Sequence, residues 1–219
     1  VVYNYQNPAT VIAATTDGIY KTTDAGVTWF QTDTNKMVMD MVMDPVDTII
    51  MYAGVGNLGT ANGGLYRSSN GGDTWTKITN GIKSNHFTRC LRSDPYKKGI
   101  LYCGTEYGMY LSTDAGKSWR KWQLNLPIVP ITDLTIKDYD LIVATQGRSF
   151  WVLDDLSLLH HWNEEVTKKK FHLFQPRTTW CIQSYKNEKK KVGENPAPGR
   201  SVNFYLQQKP DSNTIARME

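Results

Sequence analysis

An all-β fold of repeated four-stranded units is predicted by three observations. First, one eight-residue phrase occurs three times: Thr22-Thr-Asp-Ala-Gly-Val-Thr-Trp29, Ser68-Ser-Asn-Gly-Gly-Asp-Thr-Trp75 and Ser112-Thr-Asp-Ala-Gly-Lys-Ser-Trp119. Second, their tryptophans stand 46 and then 44 residues apart, and a fixed period in this range marks a repeat architecture. Third, each phrase lies between two short strand-like runs, and two more such runs precede it. Four strands in about 44 residues is the period of a β-propeller blade. No segment before Leu153 carries a 3.6-residue apolar period, so no helix competes.

Within one unit the elements follow in order. The innermost strands are predicted at Met37–Met43, Phe87–Arg92 and Ile131–Ile136. Asp44-Pro45 and Asp94-Pro95 then supply turns, and Asn7-Pro8 takes that role in the first unit. Second strands follow in Thr10–Thr15, Ile49–Gly54, Ile100–Thr105 and Asp140–Thr145. Third strands are Gly18–Thr22, Gly64–Ser68 and Gly108–Ser112, each with a central tyrosine. Fourth strands are Thr28–Thr32, Thr74–Ile78 and Ser118–Trp122. In the connecting phrase, Asp24, Asn70 and Asp114 accept backbone N–H groups as Asx residues do. Gly26, Gly72 and Gly116 suit positive φ. Trp29, Trp75 and Trp119 are large enough to cover the seam between sheets.

These residues (Thr22, Asp24, Gly26, Thr28 and Trp29; Ser68, Asn70, Gly72, Thr74 and Trp75; Ser112, Asp114, Gly116, Ser118 and Trp119) resemble the Asp-box, or BNR repeat, of sialidases, sortilin-like receptors and related β-propellers. The resemblance implies that the box lies on the outer part of each blade, away from the ligand face. The structural role of its Asp and Trp therefore outweighs a catalytic one. A calcium role is weaker still, since each turn offers one or two side-chain oxygens where calcium takes six to eight ligands.

A fourth copy is degenerate. Gln146-Gly-Arg-Ser-Phe-Trp-Val-Leu-Asp-Asp155 follows Thr145, and Trp151 stands 41 residues after Tyr110 in the place of the central tyrosine. Asp154-Asp155 opens a box that no glycine or tryptophan completes. The first copy begins at its second strand, with Val1–Pro8 as the tail of an earlier turn. About four blades are thus expected over residues 1–160, as the C-terminal part of a larger propeller. The missing blades would come from the rest of its own polypeptide or from a companion chain.

Residues 161–170 read as a polar linker, with one short helical turn at Leu156–Trp162. Residues 171–219 read as strands opening a second, β-sandwich-like domain: Phe171–Phe174, Thr179–Tyr185 and Arg200–Gln207, with a charged Pro/Gly-rich loop over 187–199. Val143–Asp155 resembles a propeller-closing segment of large secreted bacterial BNR or sortilin-like repeat proteins, often described as glycosyl hydrolases. Glu194–Leu206 resembles the strand that opens the sandwich in them. Those proteins carry His where Gln146 stands and Gly where Ser149 stands, departures that touch the transfer of a site and not of the fold. The resemblance implies a secreted or cell-envelope location.

Composition excludes several classes. The formal charge is +4, much of it in Lys168–Lys170 and Lys189–Lys191, which lie outside the repeats, so no organised basic face points to nucleic acid. No apolar run is long enough to span a bilayer as a helix. The three cysteines, Cys90, Cys103 and Cys181, argue against a full disulfide framework. Cys90 and Cys103 read as two buried thiols, with a cross-strand bond as the rival. His86, His160, His161 and His172 do not pair with cysteines at zinc spacing, and no cofactor or metal is expected.

The ligand face of a propeller carries the loops between second and third strands. Here these are Thr16-Asp17, Val55–Gly63, Glu106-Tyr107 and Gln146-Gly-Arg148. Glu106, Tyr107, Gln146 and Arg148 are the candidate binding residues. Asp17 and Glu106 are the candidate catalytic carboxylates, with Asp133 and Asp138 behind them. A sialidase would also need an arginine cluster, for which Arg89, Arg92 and Arg148 are available, but no Arg-Ile-Pro signature is present. Three functions fit: a non-catalytic propeller binding a protein, peptide or glycan, which is preferred; a sialidase- or endoglucanase-like glycoside hydrolase; and an assembly or chaperone-like factor. All three share the fold, and the fold does not decide among them.

Overall fold

The computed structural model describes residues 1–34, 37–56, 63–178 and 201–209. The expected strand Thr179–Tyr185, Cys181, the charged loop 187–199 and most of the loop Val55–Gly63 lie outside the described residues. The chain divides into two compact units, Val1–Val152 and Leu153–Glu219.

The first unit is a series of antiparallel sheets in chain order. Strands β1 (Val2–Tyr3), β2 (Val11–Thr15), β3 (Gly18–Thr22) and β4 (Phe30–Asp33) form the first sheet. Strands β5 (Val38–Met43), β6 (Met51–Val55), β7 (Gly64–Ser68) and β8 (Thr76–Lys77) form the second. Strands β9 (Thr88–Ser93), β10 (Leu101–Thr105), β11 (Gly108–Ser112) and β12 (Arg120–Lys121) form the third. Strands β13 (Ile131–Lys137), β14 (Asp140–Thr145) and β15 (Phe150–Leu153) form a three-stranded fourth. Each sheet is a meander of neighbours, and the inner strands of consecutive sheets meet, β1 and β2 on β5, β5 on β9, and β9 on β13. This is the arrangement of consecutive propeller blades.

One expectation is corrected at the start of the chain. Val2–Tyr3 is no turn residue pair but an inner strand, with Val2 opposite Ile12 and Tyr3 opposite Val11. Accordingly, Asn4 and not Asn7-Pro8 does the work of the later Asp-Pro turns. Asn4 Oδ1 accepts from the N–H groups of Gln6 (2.9 Å) and Asn7 (3.1 Å). Asp44 Oδ1 accepts from Val46 (2.9 Å) and Asp47 (3.0 Å), and Asp94 Oδ1 from Tyr96 (2.8 Å) and Lys97 (3.0 Å). An amide oxygen caps the turn as a carboxylate does, and proline is dispensable there.

The core lies between blades. Ile12 and Ile19 of the first sheet pack with Met41, Met51, Ala53 and Val55 of the second. Tyr52 and Leu65 of the second pack with Leu91, Leu101, Cys103 and Tyr110 of the third. A strand covered on both faces has no reason to alternate, so β6, β10 and β11 are buried at every position. Cys90 and Cys103 are buried free thiols. Cys103 stands opposite Leu91, and Cys90 opposite Gly104, so the two cysteines are not cross-strand partners.

The repeated phrases close the outer hairpins by one hydrogen-bond pattern. Asp24 Oδ1 accepts from Thr22 Oγ1 (2.7 Å) and the Thr28 N–H (2.9 Å), while Thr28 Oγ1 donates to Asp24 Oδ2 (2.5 Å). The third copy matches, through Ser112, Asp114 and Ser118. In the second, Asn70 Oδ1 accepts from Ser68 Oγ (2.9 Å) and the Thr74 N–H (3.0 Å), but Asn70 Nδ2 donates to Thr74 Oγ1 (2.8 Å). The amide keeps the bond by reversing its direction. The residue before each glycine also has positive φ: Ala25 (59°), Gly71 (70°) and Ala115 (59°). Its N–H in turn bonds the carbonyl of Ala9, Ile49 or Gly99.

The tryptophans diverge. Trp29 Nε1 and Trp75 Nε1 donate to the box glycine carbonyls of Gly26 (3.0 Å) and Gly72 (3.1 Å). Trp119 Nε1 donates instead to Ile78 of the preceding blade (2.7 Å), its backbone N–H bonds Asn80 (2.8 Å), and it is 4% exposed. Lys21 of the first blade likewise reaches Asp73 in the second phrase at 2.5 Å. The second and third phrases thus clasp the blade before them.

In the second unit, helices α1 (Ser157–His161) and α2 (Glu164–Thr167) precede strands β16 (Phe171–Leu173) and β17 (Phe204–Leu206). The segment read as a linker therefore contains α2, started by Asn163, whose Oδ1 accepts from the Val166 N–H at 3.1 Å. Strands β16 and β17 pair from Phe171–Leu206 to Leu173–Phe204. Trp162 packs against Phe174 and Tyr205 beside them.

Candidate functional site

The face bearing the second-to-third-strand turns is built by side chains that lock short hairpins. Thr15 Oγ1 donates to the Gly18 carbonyl (2.8 Å) and accepts from the Asp17 N–H (3.1 Å). Thr105 Oγ1 does the same with Gly108 (2.8 Å) and Tyr107 (3.1 Å). Gly18 is required by close approach as well as by φ: a Cβ there would lie 2.2 Å from the Asp33 carbonyl oxygen. The connection from β8 to β9, residues 78–87, reaches the Glu106-Tyr107 turn at its end, where the Glu106 N–H bonds the Phe87 carbonyl.

On the third blade the site gathers around His86, which is 9% exposed. The Tyr110 hydroxyl lies 3.0 Å from His86 Nδ1 in a hydrogen bond. The ring of Tyr107, 43% exposed, sits 4.9 Å from that of His86 at 33°. Burial first, then the ammonium groups of Lys83 and Lys121, lower the His86 imidazole below its ordinary 6.5. The Glu106 N–H bonds the Phe87 carbonyl (3.2 Å), the Glu106 carboxylate pairs with Arg89, and the Arg89 guanidinium lies 5.7 Å over the Phe87 ring. A cleft of 370 Å³ adjoins this cluster, lined by residues that include Lys77, Thr79, Lys83, Ser84, His86 and Phe87.

The inner strands carry a second polar group. Arg92 on β9 donates to Asp40 Oδ2 on β5 (2.6 Å) and Asp133 Oδ1 on β13 (2.6 Å), and Asp40 also accepts the Leu91 N–H (2.8 Å). One guanidinium thus ties three consecutive blades. Asp40 carries no signal in the sequence, because its partner is 52 residues away.

The sequence-nominated residues separate into two sets. Glu106 and Tyr107 belong to the His86 cluster. Gln146 and Arg148 are exposed on the fourth blade, where the Arg148 carbonyl accepts from Trp151 Nε1 at 2.9 Å. Asp17 is exposed on the first blade, and its carbonyl accepts from Gln31 Nε2 at 2.8 Å. Asp17 and Glu106 therefore stand on blades separated by the whole second sheet, not on one turn pair. Arg89 is engaged by Glu106 and Arg92 by Asp40 and Asp133, while Arg148 is exposed on the fourth blade. Asp138 lies in the β13–β14 turn, at the opposite end of the strands from Gln146.

His86 lies in the connection before β9, which has no repeated motif, while Tyr110 on β11 and Phe87 beside β9 read in the sequence as strand residues and not as parts of a site. The one available signal was His86 standing next to a predicted inner strand. Among the described residues, no three His, Cys, Asp or Glu side chains gather so as to hold a metal ion. No helix among them is long and apolar enough to cross a membrane.

No protein-family model matches the chain. It is 29% identical over 143 residues to a xyloglucanase from a Paenibacillus species, covering 55% of this chain and 14% of that protein. It is 32% identical over 85 residues to a probable oligoxyloglucan-reducing end-specific xyloglucanase from Neosartorya fischeri, covering 33% of this chain and 10% of that protein. The chain thus spans a small part of the curated relatives it matches. Among solved structures, an ancestral GH74 enzyme superposes with a TM-score of 0.57 at 17% identity, over 69% of this chain and 23% of that one. The GH74 xyloglucanase from Xanthomonas campestris gives 0.52 at 16% identity, over 66% and 27%. These likenesses establish that the first unit has the fold of consecutive β-propeller blades.

Proposed function

We propose that this chain is the glycan-binding part of a secreted, xyloglucan-directed propeller glycoside hydrolase. The observation that carries the reading is that both curated relatives it matches are xyloglucanases. The preference for a non-catalytic scaffold gains no support from them. The site chemistry is compatible: Tyr107, fixed against His86, offers a flat apolar ring to a sugar face, and the Arg89–Glu106 pair beside it offers donors and acceptors to hydroxyls. Gln146 and Arg148, exposed on the fourth blade, are proposed as further polar contacts.

Glycoside hydrolysis needs two carboxyl groups roughly 5–9.5 Å apart, one of them held protonated by an apolar setting. Glu106 against Arg89 has the opposite setting, and Asp40 and Asp133 share one guanidinium. This engagement favours a second reading, in which these residues bind glycan without cleaving it. Electrophoresis through gels containing xyloglucan, with a reducing-end assay on the same preparation, tests both. Retardation by xyloglucan but not by dextran is the expected result, and release of reducing ends by the same preparation supports the hydrolase reading. Retardation without release supports the second reading, and no retardation overturns both.

A further inference from the structure

The 370 Å³ cleft beside His86 has an electrostatic character that a neutral glycan does not require. Lys77 on β8 and Lys83 on the connection to β9 line it, and none of the described lining residues is acidic. Lys121 on β12 adds a third positive charge felt at His86. The Glu106 carboxylate of the cluster is paired with Arg89. Thr79 and Ser84 supply hydroxyls, and Ile82 and Phe87 supply apolar walls. Ammonium groups act as point charges on an anion, hydroxyls satisfy sugar hydroxyls, and an apolar wall suits the C–H face of a pyranose.

We propose that this cleft is a subsite for a carboxylate-bearing sugar, a uronate residue carried on an otherwise neutral oligosaccharide. The assignment rests on the glycan-binding reading of this face. Phosphate shares the charge but not the apolar C–H face, so Ile82 and Phe87 favour the sugar.

The test is calorimetric titration of the full chain with a glucuronate-substituted xylo-oligosaccharide and with its carboxyl-reduced form. A neutral xyloglucan oligosaccharide is run alongside, and inorganic phosphate as competitor. The acidic sugar should bind about tenfold more tightly than its reduced form at low salt, as a charge-assisted contact contributes. Lys77→Gln/Lys83→Gln should remove that difference while leaving the neutral oligosaccharide bound as before. The preference of the unaltered protein should also shrink as salt rises. Equal binding of acidic and reduced forms overturns the uronate subsite, as does phosphate competing as tightly as the sugar. Failure of the neutral oligosaccharide to bind the unaltered protein, with the acidic form still preferred, overturns the xyloglucan-binding reading instead.

Discussion

Replacing Gly81 with alanine should destabilise the first unit by about 3 kcal/mol, through two effects that a second glycine separates. Gly81 has φ of +96°, and a Cβ there would lie 2.0 Å from the Trp119 carbonyl oxygen and 3.0 Å from its carbonyl carbon. The backbone conformation alone costs an L-residue about 1–2 kcal/mol. The clash is with backbone, so no rotamer relieves it. The connection must move away from Trp119 and give up the 2.8 Å bond from the Trp119 N–H to Asn80, worth about 1 kcal/mol. Gly147 is the control: its φ is +81° and a Cβ there would meet no atom within 4 Å, so Gly147→Ala carries the conformational cost only. Urea denaturation followed by tryptophan fluorescence would read about 1 kcal/mol for Gly147→Ala against about 3 kcal/mol for Gly81→Ala. Equal losses would refute the clasp between the third phrase and the second blade.

Three further outcomes follow from the same geometry. Ala25→Gly and Ala115→Gly should each stabilise by about 0.5–1 kcal/mol, because both alanines have φ of 59°, and Gly71→Ala should cost a similar amount; thermal denaturation checks all three. Hydrogen bonds from the Thr28 hydroxyl and N–H and from Thr22 lower the Asp24 carboxyl from 3.8 to about 2. A depressed carboxyl contributes stability above its unfolded value, lost as pH falls through the folded one. Asp24→Asn should therefore keep the fold at pH 7, as Asn70 does in the second phrase, and reduce the pH dependence of stability between about pH 4 and 2. Burial pushes the Cys90 thiol up to about 12 and raises Cys103, so in a Cys181→Ser background an aromatic disulfide reagent should label neither until urea unfolds the chain.

Much of the blade pattern was legible because its local chemistry is written in contiguous residues. Ser/Thr, Asx and Gly at fixed spacing specify one turn, and the third strands before the three phrases fall where that turn requires. Strand β1 was not legible, since two residues hold no period and its turn is capped by Asn4 rather than an Asp-Pro pair. Trp119 looked equivalent to Trp29 and Trp75, but its indole N–H is satisfied by another blade, which no local pattern records. The site was legible only in part. Glu106 and Tyr107 could be placed from the turn, whereas His86 stands in a connection without a motif. The engagement of Glu106 by Arg89, and of Asp40 and Asp133 by Arg92, depends on partners 17 to 52 residues distant.

The claim that this face binds xyloglucan through Tyr107 is tested most directly by calorimetric titration with a xyloglucan oligosaccharide. Unaltered protein and Tyr107→Ala are compared. Saturable binding that weakens about tenfold in the variant is predicted from the loss of one ring stacked on a sugar. Absence of binding, or equal binding by both proteins, would contradict it.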